Sequence, residues 1–416
     1  MNVVSLIRLF HTIYRGTPPD LRLIQSQGLL AIKIGQAYAQ RADFLPETSC
    51  RQLARLYRCV DPVSPKSAWQ LLDDAPGRDW GALLHRIDPV PFATASVGQV
   101  HRGQLREGQD VAVKIVRGDF RSSFEADVER VKRFARMAVL CYPKLARVAD
   151  PIGTLEEIRS NTLGELNLEN EVVGQDRLRE IYHVYRDRYD LAQLRFPFLF
   201  RDHSTASVLV SEFVDAPTFD ELLETGRLSY ETLLDLFQIH GFYLFCTGTF
   251  HGDLHPGNVM LKQGAIYFLD TGAISHVPLQ MSQGLFRFFE RLVDGDFEQS
   301  ARALEGMSRS RLAPLAFKRF LSEFDSLYRD FLGKTVSERS LTKQMMRTIR
   351  MAVDHGMDFE TGLYPIIKSL MYLDGMVLRC APEANLMRDL KPFLERFRPW
   401  VEEGGHQWEK RVPSCL

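Results

Sequence analysis

The 416-residue sequence is short of the features that mark membrane-spanning, disulfide-built or nucleic-acid-binding chains. No window offers about 18 uninterrupted apolar residues, which argues against a spanning helix. The nearest, Leu233–Phe250, carries Asp235, Gln238 and His240 and reads as a buried helix. The six cysteines are scattered, with no CxxC pair. Neither a disulfide framework nor a thiolate metal site is expected, and the thiols read as reduced. An excess of one charge is missing too: 52 Lys and Arg nearly cancel 53 Asp and Glu, with no long basic run. Nothing there favours nucleic acid. Internal repeats and low-complexity tracts are absent as well. The expected location is cytoplasmic. Met1–Arg15 is apolar with Arg8, His11 and Arg15 interspersed, and no small-residue cleavage site follows it, so a signal peptide is not expected. Such a helix either touches a membrane surface peripherally or packs on the body.

What is present is the composition of a soluble globular protein, enough chain for two or three subdomains. Pro18-Pro19 ends the first helix. A helical pattern then runs from Leu21 to Tyr57, with Asp43–Glu47 as a turn into a second helix. Asp61–Pro65 closes the region, and a short helical segment covers Ser67–Leu84. From Val90 the texture turns to β: Val97–Leu105, a turn at Arg106–Gln109, and a strand at Asp110–Val116. Two long helices are expected over Ser122–Leu145 and Gly153–Tyr182, then a strand at Ser207–Phe213. Helix is expected again from beyond Pro217 to Phe250. Short strands at Val259–Leu261 and Ile266–Leu269 flank a Gln263-Gly264 turn, and helices follow from Pro278. A β-rich lobe followed by a helical one is the order of a kinase-like α+β fold.

The chemistry concentrates in His251-Gly252-Asp253-Leu254-His255-Pro256-Gly257-Asn258. Phosphoryl transfer needs a carboxylate to orient the acceptor and a second group to hold the metal on the phosphates. Asp253 and Asn258 stand five apart, the spacing of a kinase catalytic-loop Asp and Asn. After the hairpin, Asp270-Thr271-Gly272 supplies a carboxylate suited to bridge the phosphates through the metal. Oxygen ligands at 253, 258 and 270 would converge on one cation, for which Mg²⁺ is the natural choice. Upstream, Lys114 sits among apolar strand residues and needs an anion, whether phosphate or glutamate. Glu165 and Glu171 are its candidate partners. At six residues apart they do not share a helix face, so different partners are expected for them. The segment Phe92–His101 should cover the phosphates with small residues. It holds one glycine instead of three, a weak phosphate-loop signal.

These residues together resemble the UbiB/AarF (ADCK-like) atypical kinases, from about residue 20 to about residue 395. Ala93-Thr94-Ala95-Ser96-Val97-Gly98 looks like the family's alanine-rich loop. Lys33-Ile34-Gly35-Gln36, followed by Arg41–Pro46, is similar to its KxGQ signature. The resemblance implies a bilobal protein-kinase-like fold with a helical N-terminal extension carrying that motif. It divides the chain into an amphipathic segment (1–19), the extension (20–88), an N-lobe with inserted helices (89–215) and a helical C-lobe (216–416). By the same resemblance the extension covers the place where a protein substrate would dock, and Lys33 and Gln36 reach toward the nucleotide phosphates. Glu171 becomes the ion-pair partner of Lys114, and Glu165 the first acid of the family's ExD stretch and a metal ligand with Asn258 and Asp270. Glu212 and Val214, at the end of the Ser207–Phe213 strand, join the nucleotide-binding set. Leu370–Met376 and Pro382–Leu386 resemble the C-terminal helical pattern.

The implied activity is Mg-ATP binding with ATPase or small-molecule or lipid kinase chemistry, linked to isoprenoid-quinone metabolism. Three departures from the family pattern stand out: Asn167 in place of the ExD aspartate, Thr94 at an alanine position, and Thr271 in place of the aromatic of Asp-Phe-Gly. Two other functions fit the residues. One is a phosphotransferase of the aminoglycoside or choline kinase type, which shares the Asp253 loop but has no KxGQ extension. The other is a nucleotide-binding scaffold without turnover, favoured by Asn167.

Overall fold

The computed structural model describes residues 1–15, 18–39, 45–57, 68–94, 97–116, 119–141, 151–359 and 363–402. The expected turns at Asp43–Phe44 and Asp61–Pro65, and Ala95 and Ser96 of the alanine-rich loop, lie outside them. The chain divides into two units, Met1–Val173 with Pro197–Val214, and Gly174–Phe196 with Asp215–Leu416. The expected extension and N-lobe thus fall in one unit, while residues 174–196 go with the C-terminal one.

Unit 1 begins with helices α1 (Val3–Arg15), α2 (Leu21–Ser26), α3 (Leu29–Ala39) and α4 (Glu47–Ala54). The helical stretch expected from Leu21 up to the Asp43–Glu47 turn is itself interrupted, giving α2 and α3. Asp20 caps α2 through the Leu23 amide at 3.1 Å, and the helix stops at Gln27-Gly28. Nearly every residue of α3 is buried, because it is wrapped on several sides. Leu30, Ala31 and Ile34 pack with Leu9 and Ile13 of α1, Leu53 of α4, and residues of α7 (Asp119–Cys141) and α8 (Pro151–Glu165). α1 buries Leu9 and Ile13 but leaves Val3, Val4 and Ile7 exposed.

Helices α5 (Ala68–Asp73) and α6 (Trp80–Leu83) lead into an antiparallel sheet of β1 (Leu84–Ile87), β2 (Ala93–Thr94), β3 (Gly98–Leu105), β4 (Asp110–Val116) and β6 (Val208–Glu212). The order is β1-β3-β4-β6, with β2 added on β3. β structure therefore starts six residues before Val90. Strand β1 buries only Leu84 and Ile87 around two exposed polar residues, with a register shift between Leu84 and Arg86, so no period-two alternation marks it in sequence. Val111, Val113 and Ile115 face a core with Leu71, Leu72, Trp80, Val208 and Val210. The period of two then puts Lys114 on the opposite face, between Val100 and Leu209 in register.

The helix expected over Gly153–Tyr182 is two helices, α8 and α9 (Glu169–Tyr185), broken at Leu166–Leu168. The cause is local. The Asn167 carboxamide oxygen accepts from the Glu169 amide at 3.2 Å, and the Leu168 amide leaves the helix to donate to the Ala206 carbonyl at 2.8 Å.

Unit 2 holds a three-stranded sheet, β5 (Leu194–Arg195), β9 (Ala265–Phe268) and β8 (Val259–Lys262), and a two-stranded one, β7 (Thr249–His251) with β10 (Ile274–His276). The Gln263-Gly264 turn joins β8 to β9 with φ of 52° and 81°, as a tight two-residue hairpin requires. The helix expected from Pro217 to Phe250 is instead α10 (Phe219–Glu224), α11 (Tyr230–Gly241) and a π-helical segment, Phe242–Thr247. Strand β7 follows. The Thr247 hydroxyl donates to the Tyr243 carbonyl at 2.7 Å, competing with the helical ladder where the helix ends. From Leu279 onward the described elements are helical: α12 (Leu279–Val293), α13 (Phe297–Met307), α14 (Pro314–Tyr328), α15 (Leu341–Asp354), α16 (Leu363–Cys380) and α17 (Leu386–Glu402). One aromatic-rich core binds them, including Phe242, Phe250, Phe288, Phe324 and Tyr328. Among the described residues, no helix is long and apolar enough to cross a membrane.

Candidate active site

In unit 2, the candidate loop is held by its own backbone at both ends. β7 delivers His251 fully buried, with Nε2 donating to the Leu269 carbonyl at 2.8 Å. That leaves Nδ1 as the acceptor for the Asp253 amide at 3.2 Å, so one tautomer serves both bonds. Gly252 lies against β10. A Cβ there would stand 2.2 Å from Ser275 Oγ and 2.8 Å from the Ala273 carbonyl, so only glycine fits. Beyond it, the His255 amide donates to the Asp253 carbonyl at 2.7 Å and the Asn258 amide to the His255 carbonyl at 2.7 Å. Asn258 Nδ2 donates to the same Asp253 carbonyl at 3.0 Å. This leaves Asn258 Oδ1 as the acceptor available for a cation.

Asp253 itself is half-buried, and its Oδ1 lies 2.9 Å from the ammonium of Lys368 on α16. Burial works to raise the Asp253 carboxyl. Lys368 outweighs it, with His251 and His255 adding, and the group is held below its ordinary value. His251 is lowered as well, by burial, which outweighs the Leu269 carbonyl and the nearby Asp253 and Asp270 carboxylates. Asp270 follows β9 with φ of 48°, left-handed backbone that a residue other than glycine, asparagine or aspartate seldom adopts. Thr271, which stands where an aromatic was expected, is buried.

In unit 1, Lys114 meets Glu171, the partner that the family resemblance implied, in a close ion pair. Glu165, on the preceding helix, pairs instead with Lys33. The two glutamates thus serve different lysines, because the break at Asn167 separates their helices. Gln36, one turn beyond Lys33, is buried and donates to the Leu56 carbonyl at 3.0 Å. Both signature residues are therefore engaged within unit 1. Asn167 caps the turn into α9, a task its carboxamide oxygen performs as an aspartate would.

Of the alanine-rich loop, Ala93 and Thr94 form β2 and pair with Val100 and Gln99. Val97 is buried. The single glycine has a structural duty: a Cβ at Gly98 would lie 2.7 Å from the Ile115 carbonyl of β4. Glu212 ends β6 and accepts from the Phe198 amide at 3.1 Å, and Val214 is buried just beyond.

The donor set suits magnesium. Among the described residues no three His, Cys, Asp or Glu side chains gather as a self-sufficient metal site. Mg²⁺ asks for no such cage, since one or two protein oxygens plus phosphates and water complete its octahedron. Asn258 and Asp270, both in unit 2, are of the right kind.

Lys368 and Tyr372 were not legible as site residues. They lie far along the chain from Asp253, on a helix where the resemblance of Leu370–Met376 to the family pattern carried no site role.

Comparison with known proteins bears on the family and the fold. Residues 55–304 match the family model of the ABC1 atypical kinase-like domain. A "probable protein kinase UbiB" of Aeromonas salmonicida is 27% identical over 395 residues, spanning 91% of this chain and 69% of its own. That of Tolumonas auensis is 27% identical over 410 residues, spanning 93% and 73%. Among solved structures, Rv3197 of Mycobacterium tuberculosis, in complex with erythromycin, has a TM-score of 0.50 over 84% of this chain and 91% of that one. At 20% identity, that likeness concerns the fold.

Proposed function

The chain belongs to the ABC1 atypical kinase-like family, and from that premise we propose that it binds Mg-ATP and moves the γ-phosphoryl group to water or to a small-molecule or lipid hydroxyl. The reading extends to support of isoprenoid-quinone metabolism, in keeping with relatives named UbiB. Its main support is the loop on which the Asn258 side chain is tied to the Asp253 carbonyl and the Asp253 carboxylate is held ionised. Asp253 would orient the acceptor oxygen. That oxygen bonds to the γ-phosphorus as the bond to the β–γ bridging oxygen breaks. ADP leaves with the electron pair, and the acceptor proton passes by way of Asp253 to solvent. Lys114, steadied by Glu171, would pair with the phosphates. Asn258 and Asp270 would hold Mg²⁺, which when bound offsets charge on the phosphate oxygens.

The test uses the full chain. Wild type with Mg-ATP should gain thermal stability and release phosphate, and Asp270→Ala should lose the nucleotide-dependent gain. No gain with any nucleotide would falsify the reading. Binding without turnover, with lipid or phenolic quinone precursors also present, would make the chain a nucleotide-binding scaffold.

A peripheral membrane contact belongs to the same reading. It is supported by exposed Val3, Val4 and Ile7 on a helix carrying Arg8 and Arg15 and no acid. Co-sedimentation with anionic phosphatidylglycerol vesicles should be lost in Ile7→Glu; equal sedimentation of both would rule this contact out.

A further inference from the structure

The catalytic-loop carboxylate has a partner that the loop does not supply. Lys368 reaches Asp253 from α16, its ammonium 2.9 Å from Oδ1. The same ammonium stands 5.8 Å from the centre of the Tyr372 ring, one turn further along α16. Tyr372 in turn meets the His255 ring edge-on at 5.4 Å. Residues four apart share a helix face, so α16 presents Lys368 and Tyr372 to the loop together. Within the loop, the side chain placed to supply a cation is His255. Its Nδ1 already accepts from the Gly257 amide at 3.0 Å, which commits the ring to shaping the turn. A cation beside Asp253 is thus recruited from a distant helix.

We infer that Lys368 is a positioning residue for phosphoryl transfer: it anchors one oxygen of Asp253 and leaves the other aimed at the acceptor. The inference rests on the function proposed above and deepens it. A carboxylate that must orient an attacking oxygen works only when its rotamer is fixed, and a displacement near 1 Å can cost about 100-fold in rate. The backbone of Asp253 is fixed by the loop, while its side chain depends on Lys368. The competing role is a structural tie between α16 and the loop, which would lower stability without a selective effect on turnover.

The experiment compares the full-length chain with Lys368→Met and Lys368→Arg in Mg-ATP hydrolysis, together with the thermal shift produced by Mg-ADP. The expected result for Lys368→Met is a kcat lower by about 100-fold, with KM for ATP and the Mg-ADP shift within about two-fold of wild type. Lys368→Arg should recover about ten-fold of that loss, since it restores the charge with altered geometry. Should Lys368→Met fail to fold, Lys368→Gln replaces it, with the same expectation. Wild-type kcat in the uncharged variants overturns the inference, as does a loss of kcat that merely follows a loss of the nucleotide shift. A wild type that turns over beside an unaffected Lys368→Met sinks the Lys368 role alone. A wild type with no turnover overturns it together with the proposed phosphoryl transfer.

Discussion

The two units hold their charged site residues in different ways. Unit 1 uses lysine–glutamate pairs between elements, Lys114 with Glu171 and Lys33 with Glu165. Unit 2 uses a short loop whose peptide groups are bonded to one another and to neighbouring strands, with Lys368 as a cation for its carboxylate from outside the loop. In the first arrangement the position of a charge depends on another charge. In the second, backbone geometry fixes where the residue stands, and one ion pair fixes its side chain.

The largest effect should come where a pair is most enclosed. The side chains of Lys114 and Glu171 are 14% and 9% exposed. Lys114→Met takes the cation from beside a buried carboxylate and should cost about 3–5 kcal/mol in denaturant unfolding. Adding Glu171→Leu should return a good part of it, as expected when the penalty lies in the stranded charge. The matching substitution Lys33→Met is the other arm of that experiment. Glu165 is 42% exposed and keeps access to water, so the loss should stay below about 1 kcal/mol. Equal costs at the two lysines would break the comparison.

An intermediate effect is expected in the core of unit 2. His240 is 1% exposed, lines a cavity of about 30 Å³ with Phe237, Leu373 and Phe397, and finds no hydrogen-bond partner for either ring nitrogen among the described residues. Burial, with a smaller push from His251, brings its pKa down to about 3. The folded protein thus keeps it neutral, and the unfolded chain takes up the proton first. The stability involved is present above the unfolded value near 6.5 and is lost as pH falls toward about 3. The loss should approach about 1.4 kcal/mol per pH unit. Thermal melts between pH 7 and 4.5 should show a flatter acid limb in His240→Phe than in wild type. Parallel limbs would mean that another group governs acid unfolding.

Much of the fold could be read from sequence because it is written locally. The β3–β4 hairpin follows from alternating residues around Arg106–Gln109, and the β8–β9 turn from Gln263-Gly264. Lys114 stood out because a charge amid apolar strand residues demands a partner. What was missed depends on tertiary placement or on one competing bond. Asn167 divides a helix that its neighbours would continue, and Thr247 does the same near the end of another. Lys368 meets Asp253 only through the packing of α16, and nothing in its neighbours along the chain signals that. Asp374 of the same helix looked like part of a family pattern. Its carboxylate accepts from Ser340 Oγ at 2.5 Å and from the Leu341 and Thr342 amides at 3.2 Å each, which secures the start of α15.

The π-helical turn at Phe242–Thr247 has a consequence for the chemistry downstream. A wider turn holds one more residue than an ordinary one, so the chain leaves it out of phase with the α-helix that entered. An α-helix advances about 100° per residue, from 3.6 residues per turn. Were that stretch one residue shorter and regular, Thr249 would emerge about a quarter-circle away, and His251 would no longer find the Leu269 carbonyl. The odd turn acts as an angular offset, setting the compass bearing at which the strand carrying His251 departs.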